Sequence, residues 1–337
     1  MLRLALPSKG ELEAPTLAFL KACGIGVNRP NSRQYTAEIP GLPGTTVLFQ
    51  RAADVAAKVA EGSVDLGITG LDTVRETLHF GSRVDVLIED LDFGGCDLVV
   101  AVPETWIDVS SMADMVEVAE EMRAQGMELR VATKYNRLVR RFFLEKGLNF
   151  FSLVASTGAI EVAPTMGFAD VIADLTSSGT TLRENGLKTL SDGTILNSQA
   201  CLLGNLDALR RDPEALATTK AILERMEACL RARDYFTVTA NIRGESAEAV
   251  GMFVMNEPDV AGMQGPTVSK VYSRHEDGLE WYATTVVVRK DKLLPAIAHL
   301  RGVGGSGVTV SSPTYVFGAG SEAYQRLLGM LDQAPVA

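Results

Sequence analysis

Short apolar runs alternate with longer amphipathic stretches through residues 1–210. The apolar runs predict strands at 2–6, 46–49, 64–69, 84–88, 96–102, 129–132, 150–154, 171–175 and 200–203. Apolar residues at helical spacing predict helices at 11–23, 53–61, from 72, 112–125 and 136–146. Strands that alternate with helices predict parallel, doubly wound sheets. We therefore expect two successive α/β lobes, with the strand near 97–102 crossing to the second lobe and the chain returning to the first near residue 200.

The pattern changes after a long helix predicted at 213–233, whose first residue, Pro213, suits the first turn of a helix. The runs that follow predict a strand, a helix, two strands, a helix and a strand at 236–242, 246–255, 267–272, 281–288, 292–301 and 307–310. This β-α-β-β-α-β order is that of a ferredoxin-like α+β domain. A last helix is predicted at 322–331, and no internal repeat is apparent.

Three parts follow from this pattern. We expect residues 1–99 and 190–233 to form the first lobe, residues 100–189 the second lobe, and residues 234–337 a C-terminal domain. Two lobes joined by crossing strands leave a cleft between them, which is a common place for a ligand.

The composition excludes several classes of protein. Hydrophobic residues make up 46% and charged residues 22% of the 337, which is enough apolar surface for folded cores. No run of about 18 uncharged apolar residues predicts a membrane-spanning helix, and a net charge of −10 disfavours a nucleic acid partner. The four cysteines match no metal or redox spacing and Met1–Lys9 has no signal-peptide pattern, so we expect a cytoplasmic protein.

The segment after the strand at 171–175 carries the sharpest chemical signal. The strand contains Asp174 near its end, and small hydroxylated or glycine residues then lead into a helix. Small residues let backbone N–H groups point inward, and hydroxyls add donors, which suits a phosphate. An acid beside a phosphate loop favours a sugar phosphate such as ribose 5-phosphate, whereas the Lys of a nucleotide P-loop is missing. The alternative is an ordinary strand–turn–helix connection with a capping Ser or Thr.

The same segment resembles the ATP phosphoribosyltransferase family. The resemblance rests on Glu161–Pro164, Gly167–Asp170, Asp174–Leu182 and Asn185–Leu187. Further segments agree with the family in the same order along the chain: Leu6–Gly10, Asp65–Gly70, Leu91–Cys96, Arg130–Tyr135 and Gly265–Ser269. The β-α-β-β-α-β tail is similar to the regulatory domain of the long form of that family.

This resemblance implies a fold, a reaction and a regulator. The fold would be two lobes like those of periplasmic binding proteins, followed by a ferredoxin-like (ACT-like) domain. The enzyme would join N1 of the adenine of ATP to 5-phosphoribosyl diphosphate (PRPP), with Mg²⁺, and release pyrophosphate as the first step of histidine biosynthesis. Histidine would inhibit it through the C-terminal domain, with Thr267–Val271 as the candidate region, and the long form would be a homo-hexamer.

The resemblance also assigns residues to the substrates. It predicts PRPP contacts from Glu161, Asp170, Asp174, Thr176, Ser177, Ser178, Gly179, Thr180, Thr181 and Leu182. Lys9 and Arg51 would carry the charge stabilisation of catalysis because they follow strands of the first lobe at its ligand-binding edge. ATP would contact Gly70, Asp72, Lys134, Tyr135 and Arg137. No protein metal site is predicted.

Two readings compete with the enzyme. A two-lobed binding protein without chemistry would have the same lobe–hinge–lobe plan, although the phosphate loop argues against it. A histidine-binding regulatory subunit that has lost catalysis is the other, because Glu11 stands where the family usually has an Arg that would help to bind nucleotide phosphates. The intact segment from Asp174 to Thr181 argues against that reading.

Overall fold

The computed structural model describes residues 1–31, 33–78, 83–155, 159–272 and 280–333. The chain divides into two compact units. The first unit comprises Met1–Lys21, Ile25–Thr219 and the chain from Ala323, and the second comprises Ala22–Gly24 and Lys220–Glu322. No helix among these described ranges has the length and apolar character needed to cross a membrane.

The first unit contains two lobes, each built around its own sheet. The first part of the chain forms β1 (Leu2–Pro7), α1 (Glu13–Ala22), β2 (Thr36–Glu38), β3 (Thr45–Gln50), α2 (Ala52–Ala60), β4 (Leu66–Gly70), α3 (Leu71–Thr77) and β5 (Val84–Ile88). The second lobe forms β6 (Cys96–Pro103), α4 (Met112–Ala124), β7 (Leu129–Thr133), α5 (Asn136–Glu145), β8 (Phe151–Ala155), β9 (Val171–Thr176), α6 (Thr180–Glu184) and β10 (Leu187–Ser198). The chain continues with β11 (Ala200–Asn205), α7 (Leu206–Arg211) and α8 (Pro213–Ala232).

The strand order confirms the predicted crossing and return. The first sheet has the order β2-β3-β1-β4-β11-β5, and the second has the order β10-β6-β9-β7-β8. β1 is parallel to β3 and β4, and β7 is parallel to β8 and β9. β6 joins the second sheet antiparallel to β9, and β11 returns to the first sheet antiparallel to β4 and β5.

The second lobe is longer at both ends than the predicted range 100–189. β6 begins at Cys96 and β10 ends at Ser198, and both strands belong to the second sheet. The sequence pattern did not predict β10, whose residues are mostly polar. Its pairing with β6 shifts register between Thr189 and Thr194, and Gly193 lies where a Cβ would meet the Leu190 Cβ at 2.9 Å. The strand is therefore set by its neighbour β6 and by this close approach, and local periodicity carries no sign of it.

The two lobes share a repeated ion-pair arrangement that the sequence did not reveal. In the first lobe, Arg3 donates from its backbone N–H and its guanidinium to Asp65, and also to the carbonyl of Gly62. In the second lobe, Arg130 donates in the same way to Asp170 and to the carbonyl of Gly167.

The strand register of this arrangement is also the same in both lobes. Leu4 pairs with Leu66 directly after the first pair, and Val131 pairs with Val171 directly after the second. Each arrangement ties the beginning of one parallel strand to the beginning of its neighbour.

The second unit has the predicted ferredoxin-like topology. Its elements are β12 (Tyr235–Gly244), α9 (Ala247–Met255), β13 (Thr267–Val271), β14 (Glu280–Arg289), α10 (Leu293–Gly302) and β15 (Ser306–Ser311). The sheet is antiparallel with the order β13-β14-β12-β15, so the first and third strands lie in the middle. One face is covered by a core that includes Val238, Val286 and Leu300.

The C-terminal helix α11 (Glu322–Gln333) groups mainly with the first unit, whereas we predicted that it belongs to the C-terminal domain. Arg326 on this helix donates to the carbonyl of Leu87 at 3.2 Å, and Arg210 donates to the carbonyl of Leu331. These tertiary hydrogen bonds decide the grouping of α11, and helical periodicity alone could not reveal them.

Candidate active site

The first lobe brings two predicted cations to one edge of its sheet. Lys9 follows β1, and Arg51 follows β3 at the beginning of α2. Because β1 and β3 are parallel and pair Pro7 with Gln50, both chains leave the sheet at the same level. Both side chains are exposed. Ligands of open α/β sheets bind at this carboxyl edge.

The loop after β9, which we predicted to hold a phosphate, turns at a left-handed glycine. Gly179 has a left-handed φ of +69°, and its N–H donates to the Thr176 Oγ1 at 2.9 Å. The Ser178 Oγ donates to the Thr180 Oγ1 at 3.0 Å, which brings these two hydroxyls together. The side chains of Ser177, Ser178, Thr180 and Thr181 are exposed to solvent.

The helix after this loop is short. α6 has only five residues, so its dipole adds little to the binding of an anion. Leu182, which we predicted as a PRPP contact, is buried in the core of the second lobe and anchors α6 there. The donors available to a phosphate are therefore the loop N–H groups and hydroxyls, and not the helix.

Arg183 is a loop cation that the sequence analysis missed. Its guanidinium donates to the Ser178 carbonyl at 3.3 Å and to the Thr180 Oγ1 at 3.2 Å. A Cβ on Gly179 would lie 2.9 Å from the Arg183 Nη1. A sequence signal existed, because an Arg one turn into a helix that follows a phosphate loop can reach back over that loop.

Asp174 lies on β9 directly before the loop and is half-buried. Burial raises the pKa of the Asp174 carboxyl, while its hydrogen bond with the backbone of Leu175 and the charge of Lys134 oppose that rise. The nearby charge of Glu161 raises the pKa of Asp174 further. Glu161, in a short helical turn at Ile160–Val162, and Lys134, after β7, therefore act electrostatically on the same carboxylate.

Asp170 lies away from the loop after β9, and its contact with ribose stays a prediction. It precedes β9 at the end opposite to Thr176, so the length of the strand, roughly 3.3 Å per residue, separates the two. Both of its carboxylate oxygens accept hydrogen bonds from Arg130, at 2.8 and 3.2 Å. Asp170 fixes β7 against β9, and its spacing in the sequence could not distinguish that role from ligand binding.

A network of hydrogen bonds around Asp72 joins the two lobes. The Tyr135 hydroxyl, from the second lobe, donates to the Asp72 Oδ2 at 2.9 Å, and the Ser198 Oγ donates to the Asp72 Oδ1 at 2.7 Å. Asp72 is only 5% exposed. The N–H of Asp72 donates in turn to the Ser198 Oγ at 2.9 Å. The sequence pattern does not point to Ser198, because Ser198 ends the polar strand β10, which the pattern does not predict either.

Gly70 has a steric role beside this network. A Cβ at this position would lie 2.3 Å from the Asp72 Oδ1, so a larger residue would displace the buried carboxylate. Burial and the charge of Asp72 raise the pKa of the Tyr135 hydroxyl. The same two causes raise the pKa of the Cys96 thiol to about 11. Glu11 adds to the rise at Cys96, so its charge acts on this network.

Three further residues of the predicted ATP side, Lys134, Tyr135 and Arg137, differ in their exposure and their hydrogen-bond partners. Lys134 is exposed after β7. Arg137 donates from its Nε to the carbonyl of Glu76 at 3.0 Å and from its Nη2 to the carbonyl of Arg75. Tyr135 packs against the core of the second lobe, so its ring is fixed by its own lobe and its hydroxyl by the other.

A cavity of about 470 Å³ connects the Asp72 network with the loop. Its lining includes Asp92, Cys96, Ser177 and Ser198. Asp92 has a left-handed φ of +61°, a strained conformation for a residue other than glycine. No cluster of three His, Cys, Asp or Glu side chains within the described ranges could hold a metal ion.

Comparisons with known proteins cover both units. The family model "ATP phosphoribosyltransferase" matches residues 51–228, and the model "HisG, C-terminal domain" matches residues 232–312. ATP phosphoribosyltransferase 2, chloroplastic, of Arabidopsis thaliana is 42% identical over 334 residues, which is 98% of this chain and 80% of that protein. The ATP phosphoribosyltransferase of Rhodopseudomonas palustris (strain BisB18) is 38% identical over 332 residues, 98% of each chain.

A solved structure of the same family agrees with about two thirds of the chain. The ATP phosphoribosyl transferase (HisG:HisZ) complex from Thermotoga maritima superposes with a TM-score of 0.51 and 25% identity, over 67% of this chain and 98% of that one. Family models and relatives thus cover both the two-lobed unit and the C-terminal domain. The chain therefore belongs to the ATP phosphoribosyltransferase family, in its long form, whose enzymes catalyse the first step of histidine biosynthesis.

Proposed function

We propose that the second lobe of this enzyme binds PRPP and that the edges of both lobes bind ATP, so that N1 of the adenine attacks C1′ of the ribose and pyrophosphate leaves. The observation that carries the proposal is the loop from Thr176 to Thr181, with its left-handed glycine, its exposed hydroxyls and Arg183 across it. This loop would hold the 5-phosphate. Asp174, half-buried beside it, would accept hydrogen bonds from the ribose hydroxyls.

The barrier of the reaction lies in charge that develops on two groups. The ribose becomes positive at C1′, and the diphosphate becomes negative as the bond between C1′ and oxygen breaks. Positioning and charge stabilisation should therefore dominate catalysis. Asp174 and Glu161 lie on the side of the sugar, where negative charge would stabilise a cationic ribose. N1 of adenine has no proton to lose, so no general base is required.

Lys9 and Arg51 would stabilise the departing diphosphate and the triphosphate of ATP. The exposure of both side chains after neighbouring parallel strands supports this role. The family's usual Arg is replaced by Glu11, so Lys9 and Arg51 would carry more of the positive charge at this edge. Lys134, Tyr135, Asp72, Gly70 and Arg137 would form the ATP side, with Tyr135 and Asp72 nearest to the adenine.

Mg²⁺ would enter this site together with the diphosphate of PRPP. The described residues offer no converging set of three acidic or soft ligands, and Mg²⁺ commonly keeps several waters and substrate oxygens as ligands. When bound, it would neutralise part of the charge of the leaving group. The protein would orient the substrate oxygens through the Thr176–Thr181 loop and the exposed cations.

The proposal is tested by pyrophosphate release in a coupled assay with ATP, PRPP and Mg²⁺. We expect release that requires all three. A Ser178→Ala/Thr180→Val variant should raise the KM for PRPP by at least about 100-fold, since it loses two hydrogen bonds to a charged group that contribute about 1.5 kcal/mol or more each. Thr165→Ala, which changes another exposed threonine of the second lobe, is the control. Pure enzyme that binds PRPP but releases no pyrophosphate would overturn the proposal.

We further propose that histidine inhibits the enzyme through the second unit and that the active form is a homo-hexamer in the cytoplasm. The match of residues 232–312 to the HisG C-terminal domain supports the regulatory part. The four cysteines match no metal or redox spacing in the sequence, which supports a reducing compartment. Activity that histidine does not suppress would refute the regulatory role, and light scattering during gel filtration would refute the hexamer if it gave another mass.

A further inference from the structure

Glu76 of the first lobe caps a helix of the second lobe. The Glu76 Oε1 accepts a hydrogen bond from the N–H of Arg137 at 2.9 Å, and the Glu76 Oε2 accepts one from the N–H of Leu138 at 3.0 Å. These N–H groups belong to the first turn of α5, where they have no partner inside the helix. Glu76 is itself half-buried on α3.

Nothing local to α5 provides this cap. The residue before the helix, Tyr135, makes no capping hydrogen bond with its side chain. The first turn of α5 contains no acidic residue. By contrast, α4 in the same lobe is capped by its own Ser111 and Asp114. The start of α5 therefore depends on a carboxylate from the other lobe.

The capped turn carries residues of the proposed ATP side. Tyr135 directly precedes α5, and its hydroxyl donates to the buried Asp72. Arg137 returns a hydrogen bond from its Nε to the backbone carbonyl of Glu76, so the contact is reciprocal. Arg137 also donates from its Nη2 to the backbone carbonyl of Arg75, whose own side chain is paired with Glu89 at 3.2 Å.

We propose that Glu76 is a positioning residue of the reaction: by capping α5 across the two lobes, it fixes Tyr135 and Arg137 where ATP is bound. This inference rests on the proposed ATP side. It assigns Glu76 no contact with the substrate. A carboxylate that holds two N–H groups of the first turn sets both the beginning of the helix and the direction in which the chain from Lys134 to Arg137 leaves β7. The proposed PRPP loop after β9 is held by its own hydrogen bonds from Gly179 and Arg183, so loss of the cap should affect PRPP much less than ATP.

The test compares the full-length enzyme with its Glu76→Ala and Glu76→Gln variants in the pyrophosphate assay. Loss of the cap should raise the KM for ATP by about tenfold in Glu76→Ala. Glu76→Gln should fall between that variant and the wild type, because one amide oxygen can still accept a hydrogen bond. The KM for PRPP should change by less than about twofold in both. Glu89→Gln, which removes the partner of Arg75 on the same lobe but touches no N–H of α5, is the matched control.

A double-mutant cycle separates positioning from general damage. If Glu76 acts through Tyr135, the effect of Glu76→Ala on the KM for ATP should be much smaller in a Tyr135→Phe background than in the wild type. An unchanged KM for ATP in Glu76→Ala overturns the inference. Equal rises in the KM for ATP and PRPP, together with a lower melting temperature, overturn it too, since they indicate a merely structural role. If Glu76→Ala does not fold, the same criteria apply to Glu76→Gln.

Failure of the proposed function has a different signature. If Tyr135→Phe and Arg137→Ala both leave the KM for ATP unchanged in an active enzyme, the ATP side is misassigned and the inference falls with it. If those variants raise the KM for ATP but neither Glu76 variant does, the ATP side stands and only the positioning role is wrong.

Discussion

At the scale of a single residue, Asp174 lowers the stability of the folded chain because its ionised carboxylate is half-buried. The fold half-buries a carboxylate beside a phosphate loop, and burial raises the pKa of that carboxylate. Its ionised form is therefore less favourable in the folded chain than in the unfolded one. Such a group is retained where ligand binding needs it.

We expect Asp174→Asn to raise the melting temperature at pH 7 while it raises the KM for PRPP by at least about tenfold. The sign follows from linkage: the penalty on the ionised group is absent below its ordinary pKa of about 3.9 and complete above its raised pKa. The gain in stability should therefore disappear as the pH falls toward about 4. Thermal unfolding at several pH values measures this.

Asp192 provides a control because its pKa is shifted in the direction opposite to that of Asp174. Its carboxylate accepts hydrogen bonds from the N–H of Met112 and from Lys146, and these lower its pKa. Asp192→Asn should therefore lower the melting temperature at pH 7 and leave the KM for PRPP unchanged. An Asp174→Asn variant that is less stable than the wild type at pH 7 would contradict the claim that the ionised Asp174 destabilises the folded chain.

Gly179 is required in the loop because of its backbone conformation. Its φ of +69° is open to glycine but strained for other residues by about 1–2 kcal/mol, and a Cβ would lie 2.9 Å from Arg183. We expect Gly179→Ala to raise the KM for PRPP by about tenfold. Steady-state kinetics test this, with Gly320→Ala, which has open space around its Cβ position, as the control. Unchanged kinetics would show that the loop does not bind in this conformation.

At the scale of elements, the repeated Arg–Asp arrangement sets parallel strands in register. Asp170→Asn should lower the free energy of unfolding by about 2 kcal/mol, because hydrogen bonds to charged groups contribute about 1.5–3 kcal/mol. The KM for PRPP should stay within about twofold of the wild type, since Asp170 lies at the far end of β9 from the loop. Asp65→Asn, the matched change in the first lobe, should be destabilising to a similar extent. Urea unfolding and kinetics together test this.

The opposite effects of Asp170→Asn on stability and on the KM for PRPP would support the prediction that Asp170 contacts ribose. An Asp170→Asn variant with unchanged stability and a KM for PRPP raised by about tenfold would mean that the carboxylate reaches ribose in the bound state.

The capping box of α4 gives a pH-dependent test on another element. Backbone hydrogen bonds from Ser110, followed by those from Ser111, lower the pKa of the Asp114 carboxyl to about 2. Its stabilising effect is thus present above its ordinary pKa of about 3.9 and is lost as the pH falls through about 2. Asp114→Asn should lower the melting temperature by about 2–4 °C at pH 7. A difference that persists undiminished at pH 2 would contradict this cause.

At the scale of the whole molecule, regulation is expected to enter through the second unit. β13 is an edge strand whose Thr267 and Ser269 are exposed. If histidine binds near Thr267–Val271, Thr267→Ala/Ser269→Ala should raise the histidine concentration for half-inhibition by about tenfold without changing the uninhibited rate. Thr309→Ala, on the opposite edge strand β15, is the matched control. Equal inhibition of all three proteins would exclude this strand.

The sequence by itself determined the local elements and the chemical identity of the loop. Apolar periodicity located most strands and helices, including the complete β-α-β-β-α-β order of the second unit, because each of these elements buries one face or one run of its own residues. The small residues from Thr176 to Thr181 indicated a tight turn because the requirement is local to the backbone. Family resemblance in the same order along the chain supplied the reaction.

Tertiary structure decided everything that depends on residues distant in sequence. The polar strand β10 exists because β6 pairs with it, and Asp170 fixes two strands because Arg130 lies opposite. Glu76 caps α5, and Ser198 holds Asp72, across separations of 61 and 126 residues. An Asp or Glu in the sequence does not show whether its carboxylate will bind an arginine, the first turn of a helix or a sugar. Only the partner that the fold places within about 3 Å distinguishes these roles.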